Sequence, residues 1–129
     1  RLYAAMDCVF IDAVGDLHIL DFKTGKSAFD KRQALVYLLA ARYLYPEQQA
    51  VASFYNLELR KKSDLIIVTK KELDSVESEL ANIAQKHQTD LQKYYNKNSN
   101  FSEIFPPNPG YHCRFCPFNS ICEFSQIRE

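Results

Sequence analysis

The chain has 129 residues, enough for one domain with a hydrophobic core, and 47% of its residues are hydrophobic while 25% are charged. Its 16 basic and 16 acidic residues balance, so bulk charge gives no argument for nucleic-acid binding. The sequence has no apolar run near the ~20 residues that cross a bilayer, and its start does not have the apolar region of a secretory signal. These features predict a cytoplasmic domain without a membrane partner.

The first half of the sequence predicts a mixed α/β core. Two strands are expected at 2–12 and 17–23, separated by turn residues, so the chain opens with an antiparallel hairpin. Residues 24–27 break the pattern before a helix over 28–44, which Pro46 stops. Further strands are expected at 51–59 and 65–68. The first residue is not Met and a strand begins almost at once, so we expect a piece of a longer protein that is truncated at its N-terminus.

The second half predicts a long helix and a cysteine-bearing segment. Thr69 and Glu72 have the spacing of a capping box, and apolar residues at three- and four-residue steps continue the helix to the polar stretch 96–100. The proline-rich stretch 105–110 excludes helix and central strand, and a short helix is expected over 118–125. We expect a core at 1–100 and a cysteine-bearing segment at 101–129 that packs on the same domain.

Two carboxylates and a lysine form the first candidate site. Asp21 and Lys23 are two residues apart at the end of the second strand and so project from one face, while Asp7 lies on the neighbouring strand. Carboxylate oxygens and the backbone carbonyl of Phe22 suit Mg²⁺ or Mn²⁺, and the ammonium can orient a water or steady a phosphate. A solvated strand edge is the usual explanation of such a triplet, but charges at the end of a buried strand need a reason, so a phosphodiester-cleaving site and a solvated edge stay equally open at this point.

This site makes a demand on the hairpin. A two-residue turn would place Asp7 and Asp21 on opposite faces of the sheet. A five-residue loop over 12–16 pairs Ile11 with Leu17 and sets the two aspartates opposite each other, with Cβ atoms roughly 4.5–5.5 Å apart. We therefore predict the wider loop, or a bulge with the same effect.

Several motifs occur in an order that resembles the RecB-type and CRISPR-associated branch of the PD-(D/E)XK nuclease superfamily. The segment 20–25 (LDFKTG) is similar to the hydrophobic-Asp-aromatic-Lys-Thr-Gly motif of that branch, and Asp7 matches the aspartate of the preceding strand. Gln33 and Tyr37 match its Gln-x-x-x-Tyr motif. The two residues share one helix face, although a core tyrosine and a capping or solvent-facing glutamine would have the same spacing.

The resemblance implies a restriction-endonuclease-like α/β fold, in which helices flank a mixed β-sheet. It also implies a Mg²⁺- or Mn²⁺-dependent deoxyribonuclease that works in DNA end processing, repair or CRISPR spacer acquisition, often beside a helicase. The implied metal ligands are Asp7, Asp21 and the Phe22 carbonyl. The implied catalytic residues are Asp7, Asp21, Lys23, Gln33 and Tyr37.

The sequence departs from the family pattern at three points. Ala4 and Cys8 stand where the family often has Gly and Arg, and the upstream Glu or His ligand has no counterpart here. The chain alone is therefore expected to bind metal poorly and to cleave little. A catalytically silent domain that binds DNA or braces a larger helicase–nuclease is the main alternative. A small metal-binding interaction module is a third.

Three cysteines form the second candidate site. The spacing Cys113-x₂-Cys116-x₅-Cys122 is typical of zinc or iron–sulfur ligation in a reducing compartment, and both groups prefer four ligands. His112 is too close to Cys113 for both to bind one ion comfortably, and Cys8 is better explained as a small buried hydrophobe than as a ligand. The resemblance implies a structural [4Fe–4S] cluster whose fourth ligand lies outside this sequence. Empty, zinc-filled or oxidised thiols stay open for the fragment.

Basic residues after the second strand are predicted DNA contacts, namely Lys26, Lys31 and Arg32. The run 60–62 (RKK) lies between two predicted strands, and either phosphate binding or a solvated loop explains it. DNA is thus the expected partner, together with a helicase or another repair or CRISPR protein.

Overall fold

The computed structural model describes residues 3–25, 29–96 and 99–125. In these ranges one sheet is formed by the strands β1 (Cys8–Ile11), β2 (Leu17–Lys23), β3 (Ala50–Asn56) and β4 (Lys61–Lys62). The helices are α1 (Lys31–Leu44), α2 (Lys70–Tyr95), α3 (Phe101–Ile104) and a 3₁₀ turn (Tyr111–Phe115).

The sheet is mixed, with strand order β1-β2-β3-β4. The β1–β2 and β3–β4 pairs are antiparallel, and the central β2–β3 pair is parallel. A parallel pair needs a long crossover, and α1 supplies it between β2 and β3. The predicted fold class, a mixed sheet that opens with a hairpin and is flanked by helices, is therefore confirmed.

The hairpin has the predicted wide loop. Ile11 pairs with Leu17, so residues 12–16 form a five-residue connection. The carboxylate of Asp12 closes it by accepting the backbone N–H groups of Val14 and Asp16, each at 3.0 Å. Gly15 has φ +93°, a conformation that glycine adopts without steric cost.

The core lies on one face of the sheet, between β2, β3 and α1, with the start of α2 packed beside them. Alternate residues of a strand share a face, so the odd-numbered residues of β2 point toward α1. The buried members of this core are Leu17, Ile19, Ala34, Tyr37, Leu38, Leu39, Ala41, Ala52, Phe54 and Leu73.

The prediction of a fourth strand at 65–68 is wrong. That segment contributes a single bridge, Ile66 to Ala52, and the ladder with β3 is instead made by β4. The chain reverses directly after Asn56, whose side-chain Oδ1 accepts the N–H of Leu59 at 2.8 Å, and Arg60 completes the turn with φ +52°. The third strand therefore ends at residue 56 rather than 59.

Several predicted boundaries also shift. β1 begins at Cys8 rather than at residue 2, which lies outside the described ranges, as does residue 28. α1 begins after Asp30, whose carboxylate caps it by accepting the N–H of Arg32 at 2.9 Å. The capping box is confirmed, since Glu72 accepts the Thr69 N–H at 2.8 Å and returns its own N–H to the Thr69 hydroxyl at 3.2 Å.

The C-terminal region contains less regular structure than predicted. Residues 118–125 form turns, so the predicted short helix there is wrong. The observed elements after α2 are the four-residue α3 and the 3₁₀ turn, neither of which was predicted. The chain divides into two compact units, residues 1–81 and 82–129, and the packing of 101–129 on the core stays a prediction. No helix in the described part of the chain is long and apolar enough to span a bilayer.

Candidate active site

Four side chains form a closed ring at the end of β2, joined by three hydrogen bonds and one ion pair. Asp21, which is 4% exposed, has its Oδ2 at 2.7 Å from the ammonium of Lys23, while its Oδ1 accepts the hydroxyl of Tyr37 at 3.1 Å. Lys23 also donates to Gln33 Oε1 at 2.5 Å, and Gln33 Nε2 donates to the Tyr37 oxygen at 2.8 Å. The structure thus brings together four of the five predicted catalytic residues in direct contact.

The ring follows from two periodicities. Asp21 and Lys23 share the face of β2 that packs on α1, and Gln33 and Tyr37 share a face of α1 because they are four residues apart. Phe54 lies opposite Asp21 on β3, and its buried ring sits 5.6 Å from the Lys23 ammonium. This cation–π contact helps to stabilise the Lys23 ammonium next to Phe54.

Asp7 lies one residue before β1, at the edge of the same site. The register of the hairpin, Cys8 with Leu20, places position 7 next to position 21. The Asp7 carboxylate accepts the backbone N–H of Phe22 at 2.9 Å, so the first aspartate contacts the residue between Asp21 and Lys23. The hairpin register is as predicted and brings both carboxylates to one end of the sheet, while their convergence on one pocket stays a prediction.

Tyr37 is both a core aromatic and a member of the site. It is 7% exposed, and burial, reinforced by the charge of Asp21, raises the pKa of its hydroxyl. The hydroxyl therefore stays protonated at neutral pH and can donate to the carboxylate. The two interpretations of the Gln-x-x-x-Tyr spacing are thus compatible for the tyrosine.

The carboxylates suit a hard cation. Oδ2 of Asp21 is buried, and although Lys23 Nζ is close, the angles lie outside hydrogen-bond geometry, so this oxygen accepts no hydrogen bond from the described residues. A buried carboxylate oxygen that accepts no hydrogen bond is a suitable ligand for a divalent cation. Asp7 and the Phe22 carbonyl would complete with it an all-oxygen donor set of the kind that Mg²⁺ and Mn²⁺ prefer, and this ligand set stays a prediction. The residues present therefore fit such an ion.

The cysteines do not form a ready cluster site. Cys113 and Cys116 are half-buried, Cys122 is exposed, and all three are free thiols. Within residues 3–25, 29–96 and 99–125, no group of three or more His, Cys, Asp or Glu side chains is arranged to hold a metal ion. Iron–sulfur ligation stays a prediction.

The predicted DNA contacts are dispersed. Lys31 is exposed at the first turn of α1. Arg32 forms an ion pair with Glu79 of α2, and Lys26 lies outside the described residues. Their role toward DNA stays a prediction.

An α/β core whose second strand ends in Asp-x-Lys, with a second aspartate directly before the paired strand, is consistent with the class of restriction-endonuclease-like folds. In comparison with family models, the model of the PD-(D/E)XK nuclease superfamily matches residues 1–123. Because this match spans nearly the whole chain, the chain belongs to the PD-(D/E)XK nuclease superfamily. It is thus a nuclease-like domain of a superfamily that typically uses divalent metal ions. No curated protein matches the chain significantly.

Tyr37→Phe is expected to destabilise the domain by about 1–3 kcal/mol, because it leaves Asp21 Oδ1 and Gln33 Nε2 without their hydroxyl partner in a buried site. Tyr45→Phe, at an exposed position directly after α1, is the matched control and should change little. Urea unfolding of both variants measures the difference. Equal free energies of unfolding for the two would contradict the assigned hydrogen bonds.

A second polar cluster lies on the other face of β2. Nε2 of His18 lies 2.7 Å from the Ser53 hydroxyl, its Nδ1 lies 3.7 Å from Asp12 Oδ2, and its ring stacks on Phe10. This order of serine, histidine and aspartate resembles a nucleophilic triad, but Ser53 is 1% exposed and cannot meet a substrate. The cluster is therefore structural.

The stability of the domain is expected to fall as the pH decreases from 7 to 5. Burial, together with the positive charge of Lys62, lowers the pKa of His18, against a smaller opposing effect of Asp12. The unfolded chain binds a proton at this histidine near pH ~6.5, before the folded chain does, so acid favours unfolding in that window. His18→Gln should weaken the pH dependence of the urea midpoint. An unchanged slope in the variant would assign the effect to other groups.

Proposed function

We propose that this domain is a Mg²⁺- or Mn²⁺-dependent deoxyribonuclease of the RecB-type and CRISPR-associated branch. It hydrolyses DNA phosphodiester bonds in end processing, repair or recombination, beside a helicase or a related partner. The observation that carries the proposal is the ring of Asp21, Lys23, Gln33 and Tyr37, with Asp7 at its edge. This is a buried acid whose charge is balanced by a lysine and whose geometry is fixed by an amide and a phenol.

Each residue of the site has a distinct part in the proposed reaction. Asp7, Asp21 and the Phe22 carbonyl would hold the metal ion, which when bound polarises the phosphate and lowers the pKa of a water. Lys23 orients the attacking water or stabilises charge on the phosphate with its ammonium.

The side chains of Gln33 and Tyr37 position two of these residues. Gln33 fixes the position of the Lys23 ammonium through its Oε1. Tyr37 fixes the orientation of the Asp21 carboxylate by donating to Oδ1, so that Oδ2, which accepts no hydrogen bond from the described residues, would be available to a metal ion. Preorganisation of this kind reduces the reorganisation needed during the reaction.

The test is metal-dependent cleavage by the full-length protein. Linear double-stranded DNA is incubated with purified protein in Mg²⁺, in Mn²⁺ and in excess EDTA. We expect cleavage with either cation and none in EDTA. DNA binding in a gel-shift assay without cleavage under any of these conditions would overturn the enzymatic proposal.

That result would favour the second candidate function, a silent nuclease-like domain that binds DNA or braces a larger assembly. One observation favours it: Lys23 and Asp21 already neutralise each other, and Asp7 already accepts a backbone N–H. A domain that has lost catalysis would keep such internal pairs because they satisfy buried groups. Cys8, in place of the family's arginine, favours the same interpretation.

We further propose that Cys113, Cys116 and Cys122, with a fourth ligand from outside this sequence, bind a structural [4Fe–4S] cluster. The spacing of the three thiols supports this assignment. Anaerobically purified full-length protein should be brown and contain iron. A colourless protein with stoichiometric zinc would overturn the assignment.

A further inference from the structure

The turn that follows β3 holds the segment that follows the candidate catalytic lysine. The backbone N–H of Leu57 donates to the carbonyl of Lys23 at 2.9 Å. Two residues further along, both backbone groups of Gly25 are bound by side chains: its N–H donates to Glu58 Oε1 at 2.9 Å, and its carbonyl accepts Nδ2 of Asn56 at 2.8 Å. Three hydrogen bonds thus tie residues 23–25 to residues 56–58.

Asn56 connects these three hydrogen bonds to the sheet. It lies opposite Lys23 in the parallel β2–β3 register and is 1% exposed. Its Nδ2 donates to Gly25 while its Oδ1 accepts the N–H of Leu59, so one amide fixes both the loop after β2 and the turn after β3. A buried amide whose two ends are both used specifies one arrangement of these segments.

Sterics alone do not hold Gly25 in place. Its φ of +79° favours glycine, but a Cβ built at this position would meet nothing within 4 Å. No neighbouring atom therefore restricts Gly25 on the side where a Cβ would lie, and the hydrogen bonds of Asn56 and Glu58 to Gly25 supply the constraint. Because Lys23 is the last residue of β2, these same bonds keep the end of the strand from fraying.

We propose that Asn56 and Glu58 are positioning residues of the candidate active site. They hold residues 23–25 so that the flexible stem of Lys23 delivers its ammonium to Asp21 and Gln33. This inference rests on the proposed nuclease function and adds to it a device outside the ring. Displacement of a catalytic group by about 1 Å can cost up to ~10²-fold in rate, so the loss of one tie has a measurable effect.

Glu58 offers the sharper test because it is exposed and its replacement leaves the core intact. In the full-length protein, Glu58→Ala removes the acceptor for Gly25 N–H and should lower kcat roughly tenfold with KM unchanged. Glu58→Gln keeps an acceptor oxygen without the charge and should restore kcat. Glu47→Ala, at an exposed acid in the turn after α1, is the control and should match the wild type.

The two variants separate positioning from charge. If Glu58 acted only through its negative charge near DNA, both variants would bind DNA more tightly and lower KM. If it were a metal ligand or a proton acceptor, Glu58→Gln would be as inactive as Glu58→Ala. Either result overturns the inference, as does an Ala variant with the kcat of the wild type.

A measurement without turnover distinguishes failure of this inference from failure of the proposed function. The Gly25 amide should exchange its hydrogen faster in Glu58→Ala than in the wild type and at the wild-type rate in Glu58→Gln, as followed by NMR. Altered exchange together with an inactive wild type would overturn the nuclease proposal, and the positioning role with it. Unaltered exchange in an active protein would overturn the positioning role alone.

Discussion

Lys23→Ala is expected to lower kcat for DNA cleavage by about 10²–10³-fold, the range found when one preorganised donor is removed from a charge-stabilising site. The ammonium is held by Asp21 and Gln33, so no neighbouring cation can replace it without rebuilding the ring. Metal binding should persist or strengthen, because the variant loses a positive charge next to the cation. Single-turnover cleavage and Mn²⁺ titration measure the two effects separately.

The same change has a cost in stability. The Asp21 side chain is 5% exposed, whereas that of Lys23 is 28% exposed. Removal of the lysine leaves a buried carboxylate without its counter-charge, which costs about 3 kcal/mol in comparable cases. Urea unfolding of metal-free Lys23→Ala should show this loss, and added Mn²⁺ should recover part of it. Lys71→Ala, at an exposed position of α2, is the matched control for both measurements.

If the Lys23→Ala variant still cleaved DNA like the wild type, Lys23 would have no part in the mechanism. An inactive variant that no longer binds Mn²⁺ would instead mean that the substitution disturbed the carboxylates. The control with Lys71 should leave both activity and the free energy of unfolding unchanged. Only an inactive, folded and metal-binding variant supports the role assigned to the ammonium.

The sequence predicted the elements whose pattern is strong and local. β2 was predicted with its observed bounds, because apolar residues and the turn at Gly15 delimit it. The wide hairpin loop was predicted from a functional demand, that Asp7 and Asp21 lie together, and the Asp12 carboxylate explains how the chain satisfies it. β4 was missed because its two lysines carry no apolar signal.

The candidate site was predicted in part, because only some of its contacts follow from a local sequence pattern. Spacings of two on a strand and four on a helix place Asp21 with Lys23 and Gln33 with Tyr37. Closure of the ring depends on how α1 lies against β2, and no local spacing encodes it. Asn56 and Glu58 were missed because their bonds to Gly25 cross 31 and 33 residues, and because the sequence predicted a strand that runs through both positions.

Asp21→Asn is expected to abolish metal-dependent cleavage, with a loss on the order of 10³-fold or more, since the Lewis-acid contribution of a bound cation is several kcal/mol. Unlike the lysine variant, it should also lose Mn²⁺ affinity, because a neutral amide replaces a carboxylate ligand. The two variants therefore have the same effect on activity and opposite effects on metal binding. Asp64→Asn, at an exposed position, is the control.

The Lys23→Ala and Asp21→Asn variants should also differ in stability, because only the first is expected to lose it. Asparagine keeps an oxygen that can accept the Tyr37 hydroxyl, and the partly exposed Lys23 ammonium can turn toward water when its partner is neutral. The variant no longer pays for a desolvated charge, so its free energy of unfolding without metal should equal that of the wild type or exceed it by about 1 kcal/mol. If the Asp21 carboxylate lowers the free energy of unfolding of the metal-free protein, its role is not to stabilise the fold. A large loss of stability in Asp21→Asn would instead make the ring a structural device.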